Sequence, residues 1–152
     1  MLLYLLRHAI AQESAGSDAA RELTPEGVAQ ARAVVEKFRQ YSPRMESVRC
    51  SPYVRAQQTA SYVMPLFPGI EMISDEGLTP GGDIYDAIDV IETSAVQNLL
   101  LVGHNPFMSR MLSALIDGTV ESRHYVGNAC LYCISMDVVA PGCGKLLYNL
   151  NP

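Results

Sequence analysis

The chain has no surplus of positive charge. Eleven Lys and Arg stand against sixteen Asp and Glu, for a formal charge of −5 at pH 7. A general nucleic-acid binder carries a basic face, so that class is excluded, although a small basic pocket built from a few arginines remains compatible with the total. The chain also lacks any apolar run approaching the roughly 18 residues of a membrane span. Its opening apolar segment is short and runs into Arg7, so neither a signal peptide nor a membrane anchor is expected, and the cytoplasm is the expected location. Cysteine is sparse, and its arrangement is wrong for zinc. Cys130 and Cys133 lie in the apolar run Ala129 to Ile134, where strand alternation sends residues three apart to opposite faces. No second paired motif joins Cys50 or Cys143 to complete a tetrahedral set, so the thiols are expected to be reduced, buried small hydrophobes, with no metal and no cofactor. There is no repeat, low-complexity tract or interdomain linker. With 152 residues, 49% hydrophobic and 18% charged, the expectation is one domain spanning 1–152.

Within that frame, apolar runs alternate with helical periods. Leu2 to Leu6 reads as a buried strand ending on Arg7 and His8. A loop from about Ala9 to Leu23 follows. Thr24-Pro25-Glu26 then opens a helix on which Val28, Ala31, Val35 and Phe38 recur at three- and four-residue intervals. Glu46 to Cys50 reads as a strand, and Ser51-Pro52 starts a helix running to about Met64, broken by Pro65 and Pro68-Gly69. A short strand near Ile70 to Ile73, a helix carrying Ile84, Ile88 and Ile91, and the buried strand Asn98 to Val102 come next. Asn105-Pro106 opens a helix with Phe107, Met111 and Leu115 on one face, and Cys130 to Met136 with Lys145 to Leu150 form a hairpin around Pro141-Gly142-Cys143-Gly144. The pattern is α/β: a three-layer sandwich, a mostly parallel sheet with helices on both faces and a C-terminal hairpin.

Three helix starts share one chemistry. Thr24-Pro25, Ser51-Pro52 and Asn105-Pro106 each set a capping side chain ahead of a proline at the first helical position. Beside two of them stand cations: Arg55 in the first turn after Ser51, and His104 immediately before Asn105. A cation near a helix N-terminus loses about 0.3–1 kcal/mol to the dipole when exposed, and a bound anion reverses that penalty. Arg7, His8, Arg55 and His104, brought in by the ends of three strands, therefore make sense as a single anion pocket.

These segments resemble the histidine phosphatase superfamily, which includes phosphoglycerate mutases, and within it the small SixA-like phosphohistidine phosphatases. Arg7-His8-Ala9 stands where the family has Arg-His-Gly, Leu23-Thr24-Pro25-Glu26-Gly27 resembles its Leu-Thr-x-x-Gly helix start, Ser51 to Ala60 resembles its second arginine segment, and Gly103-His104-Asn105-Pro106 its second histidine segment. The resemblance runs from end to end and implies a phosphoglycerate mutase-like fold. It also implies a metal-independent hydrolase in which His8 attacks phosphorus and forms a phosphohistidine enzyme intermediate that water then cleaves. Arg7 and Arg55 would bind the equatorial oxygens and His104 would donate to one of them. His8 would stay unprotonated at one nitrogen while the other donates to a backbone carbonyl, so activity should fall on the acid side.

Arg21, preceded by Asp18 as in the SixA-like branch, is a candidate for reaching the phosphate or closing the loop, with a solvated ion pair as the alternative. His124 is assigned to the surface. Two departures stand out. Ala9 replaces glycine, tolerable if that backbone position has negative φ. The glutamate that larger relatives use as proton donor aligns with Gly77, leaving Glu76 as the candidate donor and Asp83 as another. An alkoxide leaving group gains much from a general acid, whereas the imidazole of a phosphohistidine leaves readily once its nitrogen carries a proton. The expected substrate is therefore phosphohistidine on a protein such as a phosphotransfer domain. The alternatives are a small phosphate ester at the same site, or a phosphate-binding adaptor without turnover.

Overall fold

The computed structural model describes residues 1–152. Six strands, β1 (Leu2–Arg7), β2 (Ser47–Cys50), β3 (Met72–Ser74), β4 (Asn98–Gly103), β5 (Leu131–Met136) and β6 (Gly144–Leu150), share one sheet in the order β3-β2-β4-β1-β5-β6. Strands β1 to β4 run parallel, while β5 pairs antiparallel with both β1 and β6, so the hairpin extends the sheet on one side. Helices α1 (Pro25–Arg39) and α2 (Val54–Val63) cover one face, and α3 (Ile84–Thr93) and α4 (Phe107–Asp117) the other.

Side-chain alternation explains why both faces of β1 and β4 are apolar. Tyr4, Leu6, Leu100 and Val102 pack with Ala31, Val34 and Phe38 of α1 and Ala56, Ala60 and Val63 of α2. Leu3, Leu5, Leu99 and Leu101 turn the other way, onto Ile84, Ile88 and Ile91 of α3 and Phe107, Met108, Met111 and Leu112 of α4. Register then aligns the carboxyl ends. Arg7 pairs with Gly103 and Cys50 with Val102. The ladder continues one residue further, with the His8 amide on the Gly103 carbonyl (2.9 Å) and the Ser51 amide on the Val102 carbonyl (2.9 Å). His8, Ser51 and His104 consequently leave the sheet side by side.

Several boundaries differ from the sequence reading. Strand β3 begins at Met72 rather than Ile70, because Gly69 takes a left-handed φ of 88° and the Ile70 amide closes a turn onto the Phe67 carbonyl. Helix α2 begins at Val54, since Pro52 and Tyr53 belong to the turn leaving β2. All four cysteines are free, and Cys130 and Cys133 do face opposite cores. Cys143, however, is exposed, because it lies in the β5–β6 connection.

The first helix start follows the capping rule. Thr24 Oγ1 accepts the Gly27 amide at 3.0 Å, and Pro25 occupies the first helical position. The Ile10 carbonyl accepts the Thr24 amide and lies so near that a Cβ at Gly27 would stand 1.9 Å from its oxygen. Glycine is thus required where α1 presses on the loop that follows His8. Gly27→Ala is expected to destabilise the fold by about 1–3 kcal/mol through overpacking. Gly16→Ala, with nothing within 4 Å of its Cβ position, serves as the control. Thermal unfolding of both checks this, and equal midpoints would contradict it.

Candidate active site

Strand β1 ends by delivering Arg7 and His8, the first turn of α2 supplies Arg55, and the residue after β4 is His104. His8, Arg55 and His104 are all buried. They meet at a cleft of about 410 Å³, whose walls include Arg7, His8, Asp18, Arg21, Arg55, Pro80, Asn105 and Asn128. His104 does not line the mouth. It sits one layer in, its ring centroid 4.9 Å from that of His8.

Two hydrogen bonds determine which nitrogen of His8 is free. Nδ1 lies 2.6 Å from the Ala9 carbonyl oxygen, which only accepts, so Nδ1 carries the hydrogen. Arg55 Nε, which only donates, lies 3.3 Å from Nε2, so Nε2 keeps its lone pair. Burial pushes the His8 pKa down to about 4. The Ala9 bond opposes that shift, and the positive charges of Arg55, Arg7 and Arg21 add to it. The neighbouring backbone is held as firmly. Asn128 Nδ2 and the Ala129 amide both donate to the His8 carbonyl (3.2 Å each), and the Ala9 amide donates to Thr59 Oγ1 (3.1 Å), which itself donates to the Arg55 carbonyl. Ala9 is not among the residues with positive φ, so the backbone there accepts an alanine without strain.

Three of the five N–H donors of the Arg55 guanidinium are engaged, which leaves two for an anion. Nε meets His8, Nη1 donates to the Asp18 carbonyl, and Nη2 donates to Asp18 Oδ2 at 3.0 Å. Asp18 Oδ1 accepts from Arg21 Nη1 at 2.8 Å, so one carboxylate bridges two arginines of the cleft. Arg7 donates from Nη1 to the Val126 carbonyl at 2.8 Å, and its Nε is buried without a partner. His104 Nδ1 is likewise buried and unpaired, while its Nε2 lies 2.8 Å from Ser51 Oγ. Burial, with the fields of His8 and Arg55 behind it, pushes the His104 pKa down to about 3. A buried donor or acceptor left unsatisfied costs about 1–3 kcal/mol. Two such nitrogens beside an arginine-lined cleft mark a place built to hold an anion.

Arg7, His8, Arg55 and His104 therefore come together, and Arg21 joins them on the cleft wall. Arg21 is at the same time in a partly exposed ion pair with Asp18, the alternative expected for it. Glu76 does not join. It is exposed on a 3-10 turn, Glu76–Leu78, and Pro80 is the part of that segment that reaches the cleft. Asp83 caps α3, accepting the Tyr85 and Asp86 amides at 2.8 and 3.2 Å. His124 is half-buried against Asp117, at 2.8 Å.

Two of the three expected caps are corrected. Neither Ser51 nor Asn105 caps a helix, for α2 and α4 have Tyr53 and Pro106 at the capping positions, without a side-chain bond. Ser51 turns to His104. Asn105 donates to the Val126 carbonyl (2.9 Å) and accepts from Ser109 Oγ (3.1 Å). A cap contributes about 1 kcal/mol, no more than the cost of leaving a buried ring nitrogen or carbonyl unsatisfied, so the tertiary partners win.

Residues 3–79 match the family described as histidine phosphatase superfamily (branch 1). A phosphohistidine phosphatase SixA homolog of Haemophilus influenzae is 32% identical over 127 residues, covering 76% of this chain and 77% of that protein. Phosphohistidine phosphatase SixA of Escherichia coli is 27% identical, covering 100% and 94%. Among solved structures, protein histidine phosphatase SixA complexed with tungstate superposes with a TM-score of 0.88 at 24% identity, covering 100% of this chain and 97% of that one. The alpha-ribazole phosphatase of Shigella flexneri superposes at 0.76 and 20% identity, covering 100% and 96%.

The depressed imidazole pKa values set the pH behaviour. An unfolded imidazole binds a proton near pH 6.5, whereas His8 in the fold stays neutral to about 4. Between those values the unfolded chain binds more protons, so stability is full above 6.5 and is lost as pH falls toward 4. Nitrogen-detected NMR is expected to show His8 as the Nδ1–H tautomer, titrating well below 6.5. An Nε2–H signal or an ordinary titration would contradict the geometry.

Proposed function

This chain belongs to the histidine phosphatase superfamily, branch 1, and from that membership we propose that it hydrolyses phosphohistidine through a covalent phosphoryl intermediate on His8. One observation carries the proposal: an Nε2 lone pair fixed by the Ala9 carbonyl and turned toward Arg55 beside an anion-binding cleft. A neutral imidazole is a nucleophile without prior proton removal, and its depressed pKa keeps it so at neutral pH.

In the first step the Arg55 Nε–H that holds the Nε2 pair passes to a phosphoryl oxygen, the freed pair forms the new N–P bond, and the bond from phosphorus to the leaving group breaks. Arg7 and Arg55 hold the equatorial oxygens. Ser51 Oγ–H donated to His104 Nε2 leaves the ring hydrogen on Nδ1, where it meets a phosphoryl oxygen. In the second step water attacks phosphorus, and the electron pair returns to Nε2 as phosphate leaves with both hydrogens of the water. Charge neutralisation falls to guanidinium groups in this scheme, with no metal ion or cofactor taking part.

The leaving group decides between phosphohistidine and a phosphate ester. Departure of an alkoxide calls for a proton donor, and the one carboxylate of the cleft, Asp18, is held below the usual carboxylate range by its hydrogen bonds from Arg21 and Arg55. Glu76 and Asp83 stand outside the cleft. A phosphoimidazole protonated on its distal nitrogen departs as a neutral ring and needs no such donor. The SixA names of the relatives agree with this choice, and a phosphorylated protein such as a phosphotransfer domain is the partner it implies. No helix is long and apolar enough to cross a membrane, and four free thiols suit the reducing cytoplasm where we place the activity.

Exposure to a labelled phosphodonor, followed by a basic quench, is expected to leave acid-labile label on the chain that vanishes in His8→Ala. His104→Ala should lower kcat about a hundredfold to a thousandfold. Phosphate release should persist in EDTA. Label retained by His8→Ala, preference for sugar phosphates over phosphohistidine, or activity lost to the chelator and restored by a divalent cation would each overturn part of the scheme.

A further inference from the structure

Asp18 has no role in the scheme above beyond failing to be an acid, yet it stands on the cleft wall among three arginines. Its two oxygens take one arginine bond each, from Arg21 Nη1 and Arg55 Nη2. An ionised carboxylate offers about four acceptor positions, so two remain. The side chain is 55% exposed, which leaves those positions open to whatever enters the cleft.

Arg55 sets the direction. Its Nε touches the nucleophilic Nε2 of His8, and its Nη2 touches Asp18 at the other end of the same planar fork. A phosphoryl group resting on that fork has the nucleophile at one end and the carboxylate at the other. In-line displacement sends the leaving group away from His8, toward the Asp18 end.

We propose that Asp18 is a specificity-determining residue that accepts a hydrogen bond from the distal N–H of a phosphorylated imidazole and so selects leaving groups carrying their own proton. This rests on the phosphohistidine reading and names the group that enforces it. The balance of the step is explicit. The substrate ring, phosphorylated on one nitrogen and protonated on the other, is cationic; His8 Nε2 takes the phosphoryl group, the pair of the broken P–N bond returns to the ring, and a neutral imidazole departs with its distal hydrogen still shared with Asp18. The carboxylate favours the protonated, reactive form of the substrate. Toward a phosphate ester the same charge is adverse, because the departing oxygen becomes negative as the P–O bond breaks.

The test compares phosphoimidazole with p-nitrophenyl phosphate, whose leaving group departs as an anion, in the wild-type chain and in Asp18→Asn and Asp18→Ala. A lost charge-assisted hydrogen bond corresponds to about a tenfold to hundredfold change. The ratio of kcat/KM for phosphoimidazole over p-nitrophenyl phosphate is expected to fall by that factor in both variants. The fall in phosphoimidazole turnover at high pH, set by loss of the distal proton from the bound substrate, should also move to lower pH in the variants. A residue that only positions Arg55 and Arg21 would depress both substrates alike, so an unchanged ratio with an unchanged pH profile overturns the proposal. Thermal unfolding of each variant identifies loss of fold. Failure of the His8 scheme would be seen separately, as absence of covalent label in the wild-type chain.

Discussion

The hydrogen bond from His8 Nδ1–H to the Ala9 carbonyl, 2.6 Å long and buried, decides which nitrogen of the ring can react. An imidazole with two equivalent tautomers would present its lone pair at Nε2 only part of the time. Here the backbone of the next residue removes the choice, and Arg55, which can only donate, holds the remaining lone pair at 3.3 Å. The bond depends in turn on the path of the chain after β1. The Ile10 carbonyl is gripped by the Thr24 amide at the start of α1, and the Ala9 amide by Thr59 of α2, so the two helices of one face jointly shape the turn that orients His8. Packing, backbone geometry and chemistry are one problem at this position.

Electrostatics in the cleft run against the sign of the whole molecule. The chain carries a formal charge of −5, but three arginines and a single carboxylate line the cleft, and both buried histidines are held neutral by desolvation. Neutral histidines are the consequence that matters. A protonated His8 has no lone pair, and a protonated His104 would add one more charge to a region already crowded with guanidinium groups. In the proposed scheme burial performs two tasks, keeping one ring nucleophilic and the other a donor with a single hydrogen to offer. Asp18 moderates the remaining positive field and ties Arg21 to Arg55, which converts separate loop and helix residues into one recognition surface.

Much of this was legible in the sequence, for a physical reason. Arg7, His8, Arg55 and His104 each sit in a short contiguous motif at the end of a strand or start of a helix, and parallel sheets gather such ends on one edge. The β1–β4 register that sets Arg7 opposite Gly103 is not written in either segment alone. Ser51 and Asn105 satisfy the local rule for caps as well as Thr24 does; only tertiary proximity shows that His104 and Val126 take their side chains instead. Asp18, in an irregular loop, has no periodicity to announce its bridge to Arg55, 37 positions away. Glu76 is the converse case. Its nearness in sequence to the position of a family acid suggested a donor, whereas the 3-10 turn leaves it exposed and only Pro80 approaches the cleft.

The central claim is that Nε2 of His8 faces a phosphorus-sized site flanked by Arg7 and Arg55. A crystal structure of the protein with orthovanadate tests it most directly. The account predicts continuous density between His8 Nε2 and vanadium, with guanidinium nitrogens of Arg7 and Arg55 and Nδ1 of His104 at hydrogen-bond distance from its oxygens. Vanadate bound through His8 Nδ1, or held away from His8 altogether, would contradict it.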